Sequence, residues 1–155
     1  MTRLEYLHLS EISPADFLPI LNKATTREHL IQHPVFDESS VTQWIAAKID
    51  VDQTPGCRVR ALRIDGALAG WCGIQLEDGR YELAIVIDDS CWGVGKRVFA
   101  ELMRWSVALS HQTVLIHLLD TRREYRFLHK MASRVYTTEM LGNRFTTYEL
   151  DVSRF

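Results

Sequence analysis

The stretch Ile87-Asp-Asp-Ser-Cys-Trp-Gly-Val-Gly-Lys-Arg97 joins an apolar run to a segment with helical periodicity. Its two glycines, Gly93 and Gly95, allow the backbone to approach a ligand closely. The first amides of a helix have no partner within the helix and lie at the positive end of its dipole. The stretch therefore predicts a site for a phosphate or pyrophosphate, although a plain tight turn before a helix explains the same residues equally well.

Two familiar phosphate-binding patterns do not fit this stretch. The Gly95-Lys96 pair lacks both the earlier glycine spacing and the following Ser or Thr of a P-loop. The third glycine of the dinucleotide-binding pattern is missing, and antiparallel hairpins precede the stretch instead of a parallel unit. The loop must be interpreted from the elements around it.

Three strands are predicted before the loop. They are joined by Asp65-Gly66 and Asp78-Gly79, dipeptides typical of two-residue hairpin turns, and they form a meander. The predicted strands are Arg58–Ile64, Leu68–Leu76 and Tyr81–Ile87.

A helix and a further strand are predicted after the loop. Val98, Phe99 and Leu102 begin an apolar pattern with helical spacing, and Thr113–Leu119 is rich in β-branched residues. Since this strand follows a long helix, it is expected to lie parallel to the strand before that helix.

The ends of the chain supply the remaining elements. A short strand and two helices are predicted before the meander, the second helix capped by Asp37 or Ser39, and a helix and a hairpin are predicted at the end. The expected bounds are Glu5–Leu9, a helix running through Leu21, then Arg122–Met131, Arg134–Glu139 and Arg144–Leu150. The order β-α-α-β-β-β-α-β-α-β-β predicts one α+β domain over residues 1–155, with a mixed, mostly antiparallel sheet and about four helices.

Length and composition exclude several classes. The chain has 155 residues, 46% apolar and 25% charged, with a formal net charge of −2, which argues against disorder and does not favour nucleic-acid binding. No apolar run is long enough for a membrane helix, and no secretory signal is recognisable. Cys57, Cys72 and Cys91 form no metal-binding pattern, which indicates a reduced, cytoplasmic protein without a metal site.

The order of elements around Gly93 and Gly95 resembles the GNAT superfamily of acyl-CoA-dependent N-acyltransferases. The resemblance covers Arg58 to Leu150. The family's loop reads Q/R-x-x-G-x-G/A, and here Ser90 stands at the Q/R position with both glycines in register. A second register puts Arg97 where the family has a small residue. The resemblance implies the GNAT fold.

The resemblance also implies acetyl-CoA as co-substrate. The strand ending at Ile87 would pair with the pantetheine arm, and an opening for the acyl chain would lie between that strand and Leu119-Asp120. Backbone amides from Gly93 to Arg97 would hold the pyrophosphate, while Lys96 and Arg97 are equally well explained as solvated first-turn residues. The implied coenzyme-binding residues are Val86, Ile87, Ser90, Trp92, Gly93, Val94, Gly95, Lys96, Arg97 and Thr121.

The catalytic groups are expected near the same crossover. The reaction implied is direct attack of a primary amine on the thioester through a tetrahedral intermediate, with backbone donors from a bulge near Val86. Glu82 stands where the family often keeps a general base, although a solvated charge at the strand edge is equally plausible. His117, in mid-strand, fits a hydrogen-bonded core histidine better than a catalyst.

The general acid is less clear. Leu128 occupies the position where the family has a tyrosine that protonates the departing thiolate. Tyr125, three residues earlier, is expected on the same side of the helix and is the substitute, with a packed core tyrosine as the alternative.

The acceptor is expected to be a small-molecule or peptide amine. Its pocket would be built from the first two helices, the 24–38 connection and the last hairpin; the candidates for its wall are His29, His33, Phe36, Trp44, Trp71 and Tyr136. Two other functions stay open: an acyl-CoA-binding or regulatory module with weak or no catalysis, and a nucleotide-binding domain. A homodimer through the last hairpin is expected by analogy with the family.

Overall fold

The computed structural model describes residues 2–23, 35–87, 93–120, 125–140 and 142–155. These ranges contain seven strands, β1 (Leu4–Leu7), β2 (Arg58–Ile64), β3 (Ala67–Glu77), β4 (Arg80–Ile87), β5 (Thr113–Leu119), β6 (Ala132–Met140) and β7 (Asn143–Asp151). They also contain four α-helices, α1 (Leu18–Leu21), α2 (Glu38–Gln53), α3 (Gly95–Ala108) and α4 (Arg126–Met131), and short 3₁₀ turns at Leu9–Glu11, Pro14–Phe17 and Val152–Arg154. The predicted order of strands and helices is confirmed.

The seven strands form one mixed sheet in the order β1-β2-β3-β4-β5-β7-β6. Neighbouring strands are antiparallel except β4 and β5, which are parallel and are connected through α3. This is the predicted βαβ crossover, and it places the start of α3 at the carboxyl end of β4.

The two hairpin turns of the meander have the backbone that their sequences predict. Asp65 and Gly66 have φ of 49° and 85°, and Asp78 and Gly79 have φ of 51° and 76°. Positive φ at both central residues is the type I′ geometry, whose twist matches that of the flanking strands. The meander is therefore set by local chemistry.

The N-terminal elements differ in detail from their predicted bounds. The first strand ends at Leu7, and Pro14 and Pro19 limit the first helical segment to a 3₁₀ turn followed by four α-helical residues. Asp37, one of the two predicted caps, begins α2, because its side chain accepts a hydrogen bond from the backbone N–H of Ser40.

Each face of the sheet carries its own apolar cluster. On the face covered by α3 and α4, here called the α3 face, the cluster includes Leu83, Ile116, Leu102 and Leu128. On the opposite face, called the α2 face, Trp71 and Val86 join Phe17, Leu21, Val41 and Ile45. Burying one such side chain contributes about 1.5–3 kcal/mol. Because strand side chains alternate, Leu83 lies on the α3 face, while Glu82, Ala84 and Val86 lie on the α2 face.

Two local expectations are wrong. The β3–β4 ladder runs without a register shift from Glu77–Arg80 to Gly70–Ile87, so β4 has no bulge near Val86; the register shift lies between β2 and β3, beside Leu62 and Arg63. Tyr125, predicted to lie inside a helix Arg122–Met131, is instead the extended N-cap of a helix that begins at Arg126; residues 122–124 lie outside the described part of the chain.

Candidate active site

The central feature of the candidate site is an opening between β4 and β5. These two strands pair only at Glu82–Leu115 and Leu83–Ile116. Beyond that point residues 84–87 stay paired with β3, and residues 117–119 stay paired with β7. The two parallel strands therefore diverge toward their carboxyl ends. This opening, called the slot, lies where the resemblance implied it, and its strand edge can pair with an extended amide-containing ligand.

The amino end of α3 is a candidate point for binding an anion. Gly93 is exposed with φ of 93°, and a Cβ atom placed on Gly93 or Gly95 would meet no atom of the described residues within 4 Å. Val94, the buried N-cap, makes no side-chain capping bond, and the first turn holds no acidic residue. The first amides of an α-helix have no partner within the helix, so the backbone of residues 93–97, called the cradle, offers amide donors at the positive end of a 14-residue helix. These features fit a pyrophosphate.

The two basic residues of the cradle point in different directions. The Lys96 ammonium lies 5.1 Å from the ring centroid of Phe127, between α3 and α4. The Arg97 guanidinium donates a hydrogen bond of 2.9 Å to the carbonyl of Thr2. Lys96 is therefore the better placed of the two to add charge beside the cradle.

Tyr125 belongs to an aromatic group at the start of α4. Its ring centroid is 5.7 Å from that of Phe127, which in turn packs edge-on at 5.3 Å against Phe99 of α3. Tyr125 has extended backbone angles (φ −112°, ψ 123°), so the argument that it shares a helical side with Leu128 is wrong. Leu128 is 2% exposed and has no proton to give. Tyr125 packs on the α3 face, beyond the carboxyl end of β5.

Glu82 and His117 form a hydrogen-bonded pair across the last paired part of β4 and β5. His117 Nε2 lies 2.8 Å from Glu82 Oε1, and His117 Nδ1 lies 2.6 Å from the Thr147 hydroxyl of β7. That hydroxyl lies 2.7 Å from the hydroxyl of Thr138 in β6. The side chains of Glu82 and His117 are 23% and 14% exposed. His117 is hydrogen-bonded, as predicted, but its partner is the candidate base.

The charged groups next to this pair are engaged with one another. Arg80 forms an ion pair with Glu149 and donates a hydrogen bond of 3.1 Å to the Tyr136 hydroxyl. Arg134 Nε lies 3.3 Å from the second carboxylate oxygen of Glu149. The hydrogen bond to Tyr136 raises the pKa of Arg80 above its usual value. This cluster spans β4, β7 and β6 on the α2 face.

Lys48 of α2 reaches the sheet close to Glu82. Its ammonium donates a hydrogen bond to Gln75, the cross-strand partner of Glu82, and lies 4.6 Å from the centroid of the Trp71 ring. Burial lowers the pKa of Lys48. Trp44 lies between Lys48 and the apolar cluster, with its ring centroid 5.4 Å from that of Trp71. Of the aromatics expected at an acceptor wall, Trp71 is buried, while Phe36 and Trp44 are half-buried and pack against its cluster, with the Lys48 ammonium beside them.

Several expected site residues lie outside the described part of the chain. These are His29, His33, Ser90, Cys91, Trp92 and Thr121. Val86 and Ile87 lie on the β4 side of the slot, and Gly93, Val94, Gly95 and Lys96 belong to the cradle.

Three residues that sequence reasoning did not single out belong to this region. Thr147 and Thr138 extend the hydrogen-bonded chain from His117, and Lys48 brings a cation beside Gln75. Thr147 lies opposite His117 in the β5–β7 ladder, and this pairing would have identified it as a partner of His117. The pairing can be derived only once the order of strands in the sheet is known.

The described residues lack two features, a metal-binding cluster and a membrane-spanning helix. They contain no group of three or more His, Cys, Asp or Glu side chains arranged to hold a metal ion. None of their helices is both long enough and apolar enough to cross a membrane.

Comparison with known proteins supports the fold. No protein-family model matches the sequence, and no curated protein matches it. Solved structures do match. A Bordetella pertussis protein assigned to the GNAT-family acetyltransferases is 16% identical, with a TM-score of 0.76 over 96% of this chain and 95% of that chain. A Salmonella typhimurium acetyltransferase that modifies the N-terminal serine of ribosomal protein L7/L12 is 15% identical, with a TM-score of 0.73 over 97% and 94%.

A third structure carries the coenzyme. A Salmonella typhimurium protein assigned as an acetyltransferase, solved with its cofactor acetyl-CoA, is 12% identical, with a TM-score of 0.67 over 98% of this chain and 94% of that chain. Together these likenesses show that the chain has the fold of the GNAT acetyltransferases. The α+β class and the fold resemblance found in the sequence are confirmed.

Proposed function

We propose that this chain is an N-acetyltransferase that transfers an acetyl group from acetyl-CoA to a primary amine. One observation carries the proposal. The slot between β4 and β5 opens beside the amino end of α3, and Glu82 is one of the two β4 residues paired with β5 directly before the slot. A strand edge, an anion-binding helix end and a carboxylate thus meet at one crossover.

The chain offers separate groups for each part of the coenzyme. Backbone groups of Val86 and Ile87 would pair with the amides of the pantetheine arm. The cradle amides of Gly93, Val94, Gly95, Lys96 and Arg97 would hold the pyrophosphate, with the Lys96 ammonium adding charge. Ser90, Trp92 and Thr121 are proposed as further contacts on the resemblance alone.

Acetyl-CoA, when bound, supplies an activated thioester. Glu82 would take a proton from the amine, whose ordinary ammonium form has a pKa near 10.4 and cannot attack. Tyr125 would give a proton to the departing thiolate. Glu82 lies on the α2 face and Tyr125 packs on the α3 face, so acid and base stand on opposite sides of the sheet. That separation suits an amine and a coenzyme that enter from opposite faces.

The acceptor is proposed to be a small-molecule or peptide amine. One structural neighbour modifies the N-terminal serine of a ribosomal protein, which is an example of such an amine. We further propose that residues 1–155 form one domain that works in the cytoplasm. A homodimer would form through the β6–β7 hairpin. The free, buried thiols of Cys57 and Cys72 suit a reducing compartment.

A second candidate function is supported by one observation. The residue at the family's tyrosine position, Leu128, is buried and apolar, and Tyr125 is not carried by the helix. A chain without an effective general acid would bind acyl-CoA and act as a regulatory module with weak or no transfer.

Two measurements separate these functions. Calorimetric titration with acetyl-CoA tests the binding that both require, and absence of binding at millimolar ligand contradicts both. A screen of amines with acetyl-CoA, read as release of free thiol, then tests transfer. We expect Glu82→Gln and Tyr125→Phe to lower kcat by roughly 10²–10⁴-fold. Glu139→Gln and Tyr6→Phe are the matched controls; losses of only a few fold at Glu82 and Tyr125 favour the binding module.

A further inference from the structure

We propose that His117 and Thr147 form with Glu82 a hydrogen-bonded relay that holds Glu82 in place as proton acceptor, which makes His117 a positioning residue for acetyl transfer. The inference rests on the proposed function and adds residues to it. It starts from three contacts: 2.8 Å between Glu82 and His117, 2.6 Å between His117 and Thr147, and 2.7 Å between Thr147 and Thr138.

The direction of the hydrogen bonds follows from the chemistry of the groups. An ionised carboxylate only accepts, so His117 Nε2 must carry the hydrogen that it donates to Glu82. In a neutral imidazole Nδ1 is then the acceptor, and it takes the hydrogen of the Thr147 hydroxyl. The Thr147 oxygen in turn accepts from Thr138. The three hydrogen bonds of the relay all run in one direction, from Thr138 to Glu82, and this fixes the tautomer of His117.

The relay leaves part of Glu82 available for chemistry. His117 engages Oε1, whereas Oε2 makes no hydrogen bond to any other residue that the structure describes. Glu82 is on β4, His117 on β5 and Thr147 on β7, so three strands hold the carboxylate at the start of the slot. Thr147 is fully buried, which keeps this end of the relay away from competing water.

The surrounding charges do not disrupt this arrangement. Arg80 on β4 and Arg134 on β6 are both engaged with Glu149 on β7, and Tyr136 accepts from Arg80. Lys48 of α2 is held by Gln75. The strong cations near Glu82 thus have their own partners, and His117 is the hydrogen-bond donor to its carboxylate.

The step that the relay supports balances as follows. An N–H bond of the ammonium breaks, and its proton bonds to Oε2 of Glu82. The nitrogen lone pair forms the new N–C bond while the π pair of the thioester carbonyl moves onto its oxygen; that pair then re-forms the C=O bond as the C–S bond breaks. Tyr125 protonates the departing thiolate, the second proton of the nitrogen passes through water to restore Tyr125, and Glu82 later releases its proton to water. His117 keeps its own proton throughout, because its role is to hold Oε1.

The first test is a mutant series, assayed with acetyl-CoA and an amine from the screen. His117→Phe and Thr147→Val are expected to lower kcat by about 10–100-fold, the usual cost of losing an orienting partner, with KM for acetyl-CoA unchanged. Thr147→Ser keeps the hydroxyl and is expected to restore kcat. His111→Gln changes another partly buried histidine, bonded to the Gly56 carbonyl, and serves as the control. Equal losses in Thr147→Ser and Thr147→Val would overturn the relay.

A double-mutant cycle tests whether His117 acts through Glu82. In a Glu82→Gln background, His117→Phe is expected to cost less than about twofold, because residues that act as a unit are not additive. A full, additive loss in that background contradicts the inference, since it would mean that His117 acts independently.

Nuclear magnetic resonance tests the relay in the free protein, without any acceptor. Long-range ¹H–¹⁵N spectra of ¹⁵N-histidine-labelled protein should show His117 as the Nε2–H tautomer in the natural protein and in both Thr147 variants, because the Glu82 carboxylate still accepts from Nε2. In Glu82→Gln, whose amide can donate or accept, they should show a tautomer mixture. A mixture in the natural protein overturns the relay even when acetyl-CoA binds. Conversely, if His117 is the Nε2–H tautomer but acetyl-CoA does not bind, the relay geometry is supported and the proposed function is contradicted.

Discussion

Gly70 of β3 lies directly against Val86 of β4: a Cβ atom placed on Gly70 would be 1.9 Å from the carbonyl oxygen of Val86. Both sides of this contact are backbone, so no rotamer change can relieve it. We expect Gly70→Ala to separate β3 from β4 and to lower the free energy of unfolding by about 3 kcal/mol, the upper end for overpacking. Urea denaturation followed by circular dichroism measures this change, and an unchanged midpoint would contradict the contact.

Gly95→Ala, unlike Gly70→Ala, should not lower the free energy of unfolding. A Cβ atom on Gly95 meets no atom of the described residues within 4 Å, and the residue begins α3, so stability should stay the same or rise by about 0.4–1 kcal/mol. Because the loop that this stretch resembles has Gly or Ala at this position, acetyl-CoA affinity, measured by calorimetry, should stay within about twofold in Gly95→Ala. The larger side chain of Gly95→Leu should block the cradle and lower that affinity about tenfold, or about 1.4 kcal/mol. Natural affinity in a stable Gly95→Leu protein would count against the cradle.

Tyr6 predicts how stability changes in alkali. Its ring packs edge-on against Trp105 at 5.4 Å, and burial raises the pKa of Tyr6 from 10.0 to about 12. The folded state keeps a proton that the unfolded chain has released, so this contribution is fully present below pH 10.0 and is lost as the pH rises toward about 12.

The measurement is thermal unfolding across that alkaline range, with tyrosinate absorbance recorded in parallel. Tyr6→Phe should lose less stability than the natural protein as the pH rises. Tyr136→Phe removes a different hydroxyl, one that accepts a hydrogen bond from Arg80, and serves as the control for loss of a hydroxyl alone. If Tm falls equally with pH in Tyr6→Phe and in the natural protein, the pKa of Tyr6 is not raised in the folded state.

The Asp37 cap of α2 predicts that the stability of the protein also falls in acid. Its carboxylate accepts a hydrogen bond of 2.7 Å from the backbone N–H of Ser40, and this bond lowers the pKa of Asp37 from 3.8. A depressed pKa means that the contribution is present above pH 3.8 and is lost as the pH falls through the lowered pKa. At neutral pH, Asp37→Ala should lower Tm by about 2–4 °C.

Asparagine caps helices without titrating, so Asp37→Asn is the matched control. It should keep the neutral-pH Tm of the natural protein and should lack this acid-dependent loss. If Asp37→Ala unfolds at the same temperature as Asp37→Asn at neutral pH, the capping bond does not stabilise α2.

The fold could be predicted where local chemistry decides it. The Asp-Gly turns require a backbone that only a few residues adopt easily, and Thr113–Leu119 has the observed bounds of β5 because its apolar run stands between polar segments. The start of α4 could not be predicted, because nothing in the sequence around Tyr125 forbids a helical backbone at that residue. Tyr125 was consequently expected on a helical face that it does not occupy.

The site could be predicted only in part, for a different reason. Glu82 and the glycines of the cradle stand in recognisable places along the chain, whereas the partners of Glu82 are distant in sequence. His117 is 35 residues from Glu82 and 30 residues from Thr147. Those contacts depend on the strand order β4-β5-β7, a property of the whole sheet.

The short pairing between β4 and β5 divides the sheet into two blocks with a seam between them. β3 and β4 are joined by eight residue pairs and β5 and β7 by seven, while only two pairs cross the seam. Each block can therefore keep its own hydrogen-bonded ladder while the seam widens or narrows. A molecule bound in the seam would add hydrogen bonds where the sheet has fewest, so on binding it would make the two blocks move as one rigid unit.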